Sequence, residues 1–222
     1  MARGKLITFE GGEGSGKSTQ VRLLVEALSR RGLNVEASRE PGGTPGAEAI
    51  RALLVAGETG RWTPLTEALL HCAARRDHVE RRLWPALAAG TWVVCDRFAD
   101  STMAYQGYGH QLGRETIERL TAATLNGFGP DLTFILDIDP AVGLERAGRR
   151  SCGTSGTDHS EDRYERMILA FHHRLREGYL DIAHREPARC AVIDATLSPE
   201  RINALILTKV AEIGPLIHLE NC

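Results

Sequence analysis

Gly11-Gly12-Glu13-Gly14-Ser15-Gly16-Lys17-Ser18 is the stretch whose reading decides the fold. Leu6 to Phe9 precede it, a short apolar run that reads as a buried strand. Ser18 to Arg30 follow, with Val21, Leu24, Val25 and Leu28 recurring on one helical face and Gly32 placed to stop the helix. Gly-x-x-x-x-Gly-Lys-Ser between a strand and a helix is the pattern of a phosphate-binding loop. Glycines let successive backbone N–H groups converge on phosphate oxygens, and the helix N-terminus adds positive partial charge. In that reading Lys17 reaches the β- and γ-phosphates of a nucleoside triphosphate and the Ser18 hydroxyl ligates Mg²⁺. A glycine-rich turn without a ligand is the alternative, and the correct strand and helix on either side weigh against it.

Working outward, strands and helices alternate. Val35 to Ser38, Trp92 to Cys95, Leu132 to Leu136 and Ala191 to Ile193 read as further short strands, nearly all apolar. Glu40-Pro41-Gly42-Gly43-Thr44-Pro45-Gly46 cannot continue regular structure and is a loop. Ala47 to Val55 is a short helix. Thr63-Pro64 is a helix start, Thr as N-cap and Pro in the first turn. The long helix that follows carries Leu65, Leu69, Leu70, Ala73 and Val79, is kinked or restarted at Pro85, and ends at Gly90. Helices are also expected over roughly Arg114–Leu125, Ala141–Gly148, Glu161–His184 and Pro199–Ile213. Apolar strands alternating with helices imply a parallel sheet covered on both faces, an α/β fold. Ligands of such folds sit at the carboxyl ends of the strands. Arg149 to Ser160 is small, polar and glycine-containing, and is expected to be a mobile surface loop.

The 222 residues suit a single domain, and 42% hydrophobic with 25% charged residues can fill its core. A net charge of −2 gives no basic field for nucleic acid or an anionic membrane. The five cysteines are odd in number and form no CxxC pair, so a reducing compartment fits best. No apolar run approaches the roughly 18 residues of a membrane span, and the N-terminal residues show no signal-peptide pattern, so a cytoplasmic location is expected. His172-His173 sit on an amphipathic helix where adjacent residues point apart, which argues against a shared metal. Trp62, Trp84 and Trp92 read as packing residues.

Asp96 and Arg97 close the strand Trp92-Val93-Val94-Cys95. An Asp there can hold Mg²⁺ or its water shell, and Arg97 can fork onto a phosphate. A structural Asp–Arg pair is the bland alternative. With Arg39-Glu40-Pro41-Gly42-Gly43-Thr44, Asp96-Arg97-Phe98-x-x-Ser101-Thr102-x-Ala104-Tyr105-Gln106-Gly107, Pro130-Asp131-Leu132-Thr133, Asp162-Arg163-x-Glu165 and Val192-Ile193-Asp194-Ala195 also in place, the chain resembles the thymidylate kinase family from about Lys5 to past Asp194. The stretch from Asp96 to Gln106 is the specific part, since the phosphate-binding loop alone fits many families.

The resemblance implies the P-loop nucleoside monophosphate kinase fold: a five-stranded parallel sheet with helices on both faces and a lid over about 148–163. It implies transfer of a phosphoryl group from ATP to dTMP with Mg²⁺ at Ser18 and Asp96, and a homodimer. ATP would be held by Gly11, Gly12, Glu13, Gly14, Ser15, Gly16, Lys17, Ser18 and Thr19. The acceptor would be held by Glu13, Glu40, Pro41, His71, Arg75, Arg97, Ser101, Thr102, Tyr105 and Gln106. Among these, Arg97 would take its phosphate, Glu13 approach the sugar 3′-hydroxyl, Tyr105 crowd the 2′ position, and Arg75 and Thr102 hydrogen-bond the base. Lys17, Asp96 and Arg97 would act in catalysis with a lid arginine drawn from Arg149, Arg150 and Arg163. Gly14, where one branch of the family carries Arg, matches the bacterial type. His71 departs from the pattern, since similar proteins usually have Phe there to stack on thymine. A kinase for another nucleoside monophosphate and a nucleotide-binding protein without turnover remain as alternatives. The Asn-Lys-x-Asp and Asp-x-x-Gly motifs of a GTPase are not found in the sequence.

Overall fold

The computed structural model describes residues 3–153 and 163–214, with the backbone alone over 150–153. Five strands form one parallel sheet: β1 Leu6–Glu10, β2 Val35–Arg39, β3 Trp92–Asp96, β4 Leu132–Asp137 and β5 Cys190–Asp194, in the order β2-β3-β1-β4-β5. The register sets Phe9 beside Asp96 and beside Phe134, so β1 lies between β3 and β4. Each strand runs at least one residue beyond its apolar run and ends on a charged residue: Glu10, Arg39, Asp96, Asp137 and Asp194. This row of charge marks the carboxyl edge, where ligands of open α/β sheets bind.

Period-two alternation sorts the strand residues onto two faces. Ile7, Phe9, Val94, Phe134 and Leu136 pack against Val21, Leu24 and Leu28 of α1 (Lys17–Arg30) and Ile202, Ile206 and Val210 of α9 (Pro199–Val210). On the other face, Leu6, Val93 and Cys95 meet Val79, Leu83, Leu87 and Leu125, and Ile135 meets Leu175, Tyr179 and Ile182 of α8 (Leu169–Arg185). Thr8 and Thr133, buried on this face, satisfy each other's hydroxyls at 2.8 Å.

Helix starts follow local chemistry. Thr44, Thr63 and Ser198 each precede a proline and accept a backbone N–H of the first turn, opening α2 (Pro45–Val55), α3 (Pro64–His78) and α9. Gly32, at φ 79°, ends α1 as expected, with its N–H bonded back to Ser29 O. The long helix is not simply broken at Pro85. It widens into a π-helical turn over Val79–Leu83 and resumes as α4 (Trp84–Ala88). A proline cannot donate to the preceding turn and its ring crowds the carbonyl there, and a wider turn relieves both problems.

Three expectations change. The stretch after Arg97, to which the sequence pattern gave no element, is helical: α5 (Ala99–Thr102) passes into a π-helical segment Met103–Gly109. Gly107 and Gly109 lower helix propensity, and the wide turn abolishes the 3.6-residue period. Gly109 is needed for approach, since a Cβ there would stand 2.5 Å from the Phe171 ring of α8. The helix expected from Glu161 begins at Leu169, because the guanidinium of Arg163 is tied to the carbonyls of Leu54, Glu58 and Thr59, at 3.0 Å each, and holds the chain in turns. Residues 149–153, expected in the mobile loop, instead belong to α7 (Pro140–Gly153), which runs on through Gly148, where the sequence placed its end. The rest of that loop, with His159, lies outside the described residues. The helix expected over Arg114–Leu125 appears as α6.

Candidate active site

The phosphate-binding loop crosses the carboxyl end of β1. Its turns need positive φ at Gly11 (136°), Gly14 (66°) and Gly16 (91°), conformations that favour glycine. Gly16 caps α1 with no side-chain acceptor, which leaves the first-turn N–H groups available to an anion. The loop is also pinned from outside. A Cβ on Gly14 would fall 1.9 Å from Gly143 O, and one on Gly143 would fall 2.4 Å from Glu13 O. Gly143 of α7 therefore belongs to the site, although only its place after Asp137 in the sequence hints at this.

Lys17 lies almost buried, its Nζ donating to Gly12 O at 2.8 Å and Gly11 O at 3.1 Å. Burial, and then the Arg97 charge, lower its pKa to about 8, with Glu13 and Asp96 opposing. The ammonium form still prevails at neutral pH. Ser18 Oγ donates to Asp96 Oδ2 at 2.7 Å. A hydroxyl and a carboxylate oxygen at the mouth of a phosphate cradle form the donor set that a hard cation prefers.

Arg97 is the hinge between this cradle and a second cleft. Its φ is 67°, a left-handed conformation that strains a branched-out side chain. The strain is held by Glu10, fully buried at the end of β1, which accepts from Phe98 N at 2.7 Å and Ser101 Oγ at 2.5 Å. Burial, helped by the Asp100 charge, raises the Glu10 carboxyl to about 7. The Arg97 guanidinium donates to Glu13 at 2.9 Å, Gly11 O at 3.1 Å and Tyr179 OH at 3.2 Å, and lies over the Tyr105 ring. Burial opposes ionisation of Glu13, yet Arg97, Lys17 and the Tyr105 hydroxyl, which donates to it, hold its pKa at about 2. Glu10 and Tyr179 were not singled out by sequence, where one is a strand terminus and the other a core aromatic.

The second cleft encloses about 670 Å³ including its mouth, within the range of small-molecule sites. All ten residues expected to hold the acceptor line it: Glu13, Glu40, Pro41, His71, Arg75, Arg97, Ser101, Thr102, Tyr105 and Gln106. Tyr164 and Phe98, which the sequence reading did not include, line it too. Arg75 is buried, with Nε on Glu40 at 2.7 Å and Nη2 on Phe98 O at 2.9 Å and Thr102 Oγ1 at 3.0 Å. Glu40 is shared with His78 Nδ1 at 2.9 Å. The phosphate cradle and this cleft share Glu13, Glu40, Arg51 and Arg97.

His71 stands 3.0 Å from the Tyr164 hydroxyl through Nε2. Burial, and then the Arg75 charge, lower its pKa from 6.5 to about 4, so it faces the cleft as a neutral ring. The unfolded chain takes up that proton near 6.5 and the folded one only near 4, so this contribution to stability is present above pH 6.5 and lost as pH falls toward 4. Glu10 acts in the opposite sense, its contribution present below 4.5 and lost as pH rises through about 7. Comparing variants separates them. His71→Phe is expected to lose less melting temperature than the parent between pH 7 and pH 5, and an equal loss in both would refute the buried neutral imidazole.

Of the arginines expected in the lid, Arg149 and Arg163 do not line the phosphate cradle. Arg149 is exposed and pairs with Glu145 one turn away at 2.6 Å. Arg150 lies in α7, its side chain outside those described. Arg163 is buried away from the cradle, where it also meets Glu67 at 2.5 Å. Among the described residues no group of three or more His, Cys, Asp or Glu side chains is placed to hold a metal ion. No described helix is long and apolar enough to cross a membrane.

A glycine cradle with a buried lysine, joined through one strained arginine to a nucleotide-sized cleft, is the site of a P-loop phosphotransferase. A family model described as thymidylate kinase matches residues 9–206. The thymidylate kinase of Caulobacter vibrioides is 52% identical over 212 residues, covering 96% of this chain and 98% of that one. The thymidylate kinase of Afipia carboxidovorans is 48% identical over 204 residues, covering 92% and 87%. A crystal structure of thymidylate kinase from Ehrlichia chaffeensis has a TM-score of 0.74 at 34% identity, over 94% of this chain and 99% of that one. The chain belongs to the thymidylate kinase family.

Proposed function

We propose that this chain transfers the γ-phosphoryl group of ATP to the 5′-phosphate of dTMP, giving dTDP on the route to dTTP. The observation that carries the reading is the sharing of Glu13 and Arg97 by the phosphate cradle and the nucleotide-sized cleft. Two polyanions bound there would meet at one guanidinium. The acceptor phosphate has a second pKa of about 6 and is largely a dianion at neutral pH, so it needs no general base. What opposes the reaction is repulsion between phosphates, and Lys17 and Arg97 offset it as charge develops. Ser18 and Asp96 would hold Mg²⁺, which when bound neutralises charge on the β- and γ-phosphate oxygens.

Glu13 and Tyr105 would meet the deoxyribose, while Arg75, Thr102 and Gln106 face the base beside the neutral ring of His71. The lid arginine that reaches the phosphoryl group would be Arg149 or Arg150. Every nitrogen of the Arg163 guanidinium already serves Leu54, Glu58, Thr59 or Glu67, which makes it a structural anchor. The chain would act in the cytoplasm as a homodimer through the outward face of α3, where Leu65 and Leu69 are 45% and 49% exposed. Sedimentation velocity tests the dimer. The function is tested by ATP consumption with Mg²⁺ against a panel of nucleoside monophosphates. Turnover far above background with dTMP is expected. Preference for another acceptor would move the specificity, and ATP binding without turnover of any acceptor would support a non-catalytic protein.

A further inference from the structure

Behind the acceptor cleft lies a buried carboxylate that the phosphoryl-transfer chemistry does not use. Glu67 of α3 has no exposed surface. Four groups face it: Gln106 Nε2 at 2.7 Å, Arg163 Nη2 at 2.5 Å, His110 Nε2 at 3.4 Å and the Tyr164 phenol, whose pKa is raised by burial and by the Glu67 charge. Burial opposes ionisation of Glu67, but His110, the Arg163 charge and Gln106 prevail and hold its carboxyl at about 2. An ionised carboxylate only accepts hydrogen bonds.

That one-way character has a consequence for Gln106. A glutamine amide has a donor end and an acceptor end, and either could face a ligand if its surroundings were neutral. Against Glu67 only the NH₂ group can be turned inward. Among the described residues no group donates to Gln106 Oε1, and the residue lines the acceptor cleft. Arg75 faces the same cleft with Nε and Nη2 engaged by Glu40, Phe98 O and Thr102, and with Nη1 holding no partner among the described residues.

We propose that Glu67 is a specificity-determining positioning residue: by fixing the Gln106 amide it makes the cleft wall present an acceptor oxygen beside the Arg75 donor, so the pocket selects a base with an N–H next to a carbonyl and rejects one with a bare ring nitrogen next to an amino group. Thymine and uracil carry the first pattern at N3 and O4. Cytosine carries the second, and would set a lone pair against Oε1 and an amino group against a guanidinium. Buried polar groups left unpaired or opposed in this way are what give sites their strongest discrimination. The inference rests on the proposed nucleotide acceptor and adds the residue that sets its base.

The test compares dTMP with dCMP, by kcat/KM and by calorimetric binding. Glu67→Gln frees the Gln106 amide to turn, so the dTMP-over-dCMP preference should fall about tenfold or more, chiefly through KM. Gln106→Leu should lower it similarly while keeping the Glu67–Arg163 pair. Glu67→Gln added to Gln106→Leu should then lower it no further, because the effect passes through that amide. An unchanged preference in folded Glu67→Gln, or an equal further loss in the double variant, would overturn the proposal. If Glu67→Gln does not fold, Gln106→Leu decides alone, and an unchanged preference there overturns it. Parent protein that binds dTMP and dCMP equally also overturns it. Parent protein that prefers dTMP in binding but phosphorylates neither sinks the kinase reading and leaves this inference standing.

Discussion

Arg97→Ala should leave a folded protein whose turnover is reduced on the order of 10³-fold, the loss typical of removing a donor aimed at developing phosphoryl charge. The guanidinium contacts both the cradle, through Gly11 O and Glu13, and the cleft, through Ser101 and Tyr105. Its removal should therefore weaken dTMP binding as well as slow transfer. It also strips Glu13 of its main counter-charge, so the Glu13 carboxyl should titrate well above its present value of about 2. The backbone adds a second readout. Position 97 sits at φ 67°, where a residue with a Cβ is strained by about 1 kcal/mol or more and glycine is not. Arg97→Gly should thus be as inactive as Arg97→Ala but melt at a higher temperature. Turnover within tenfold of the parent in either variant would remove Arg97 from the mechanism, and equal melting temperatures would remove the strain.

Lys17→Ala should cost at least as much in turnover, but with a different signature. Lys17 lines the cradle and not the acceptor cleft. Binding of dTMP should survive within a few-fold while ATP binding and transfer are lost, again on the order of 10³-fold in rate. Some stability is lost as well. The Nζ donates to Gly11 O and Gly12 O, and carbonyls left without that donor cost about 1–3 kcal/mol where water cannot replace it. Calorimetry with each nucleotide separately checks the pattern. Normal ATP binding by folded Lys17→Ala would contradict the cradle assignment.

What could be read from the sequence was what local chemistry dictates. Gly11 to Ser18 announced the cradle because glycines spaced to let backbone amides converge, a lysine and a helix start together make the pattern of a P-loop. Thr63-Pro64 announced a helix, and apolar runs announced the five strands, each one step short of the charged residue that closes it. Apart from Arg97, whose place at a strand end beside the cradle pointed to phosphate, the acceptor residues from Glu40 to Gln106 were named through resemblance, and the structure gathers them into one cleft. What escaped depends on contacts distant in sequence. Glu10 is an ordinary strand terminus until Phe98 N and Ser101 close on it. Gly143 is an ordinary helix glycine until the backbone of Glu13 and Gly14 is found against it. The segment 99–109 hid because a π-helical turn has no 3.6-residue signature. Arg163 was read as a lid cation from its neighbours in sequence, and its partners lie more than a hundred residues away in the chain, at Leu54, Glu58 and Thr59.

The central claim is that Lys17 and Arg97 bring two nucleotides together for direct transfer. The most direct measurement follows radiolabel from [γ-³²P]ATP in the presence of dTMP and Mg²⁺, with the products separated by chromatography. Label appearing in dTDP in step with ADP formation, and absent from it in Arg97→Ala, is the predicted result. Label released as inorganic phosphate, or retained in ATP while both nucleotides are bound, would contradict it.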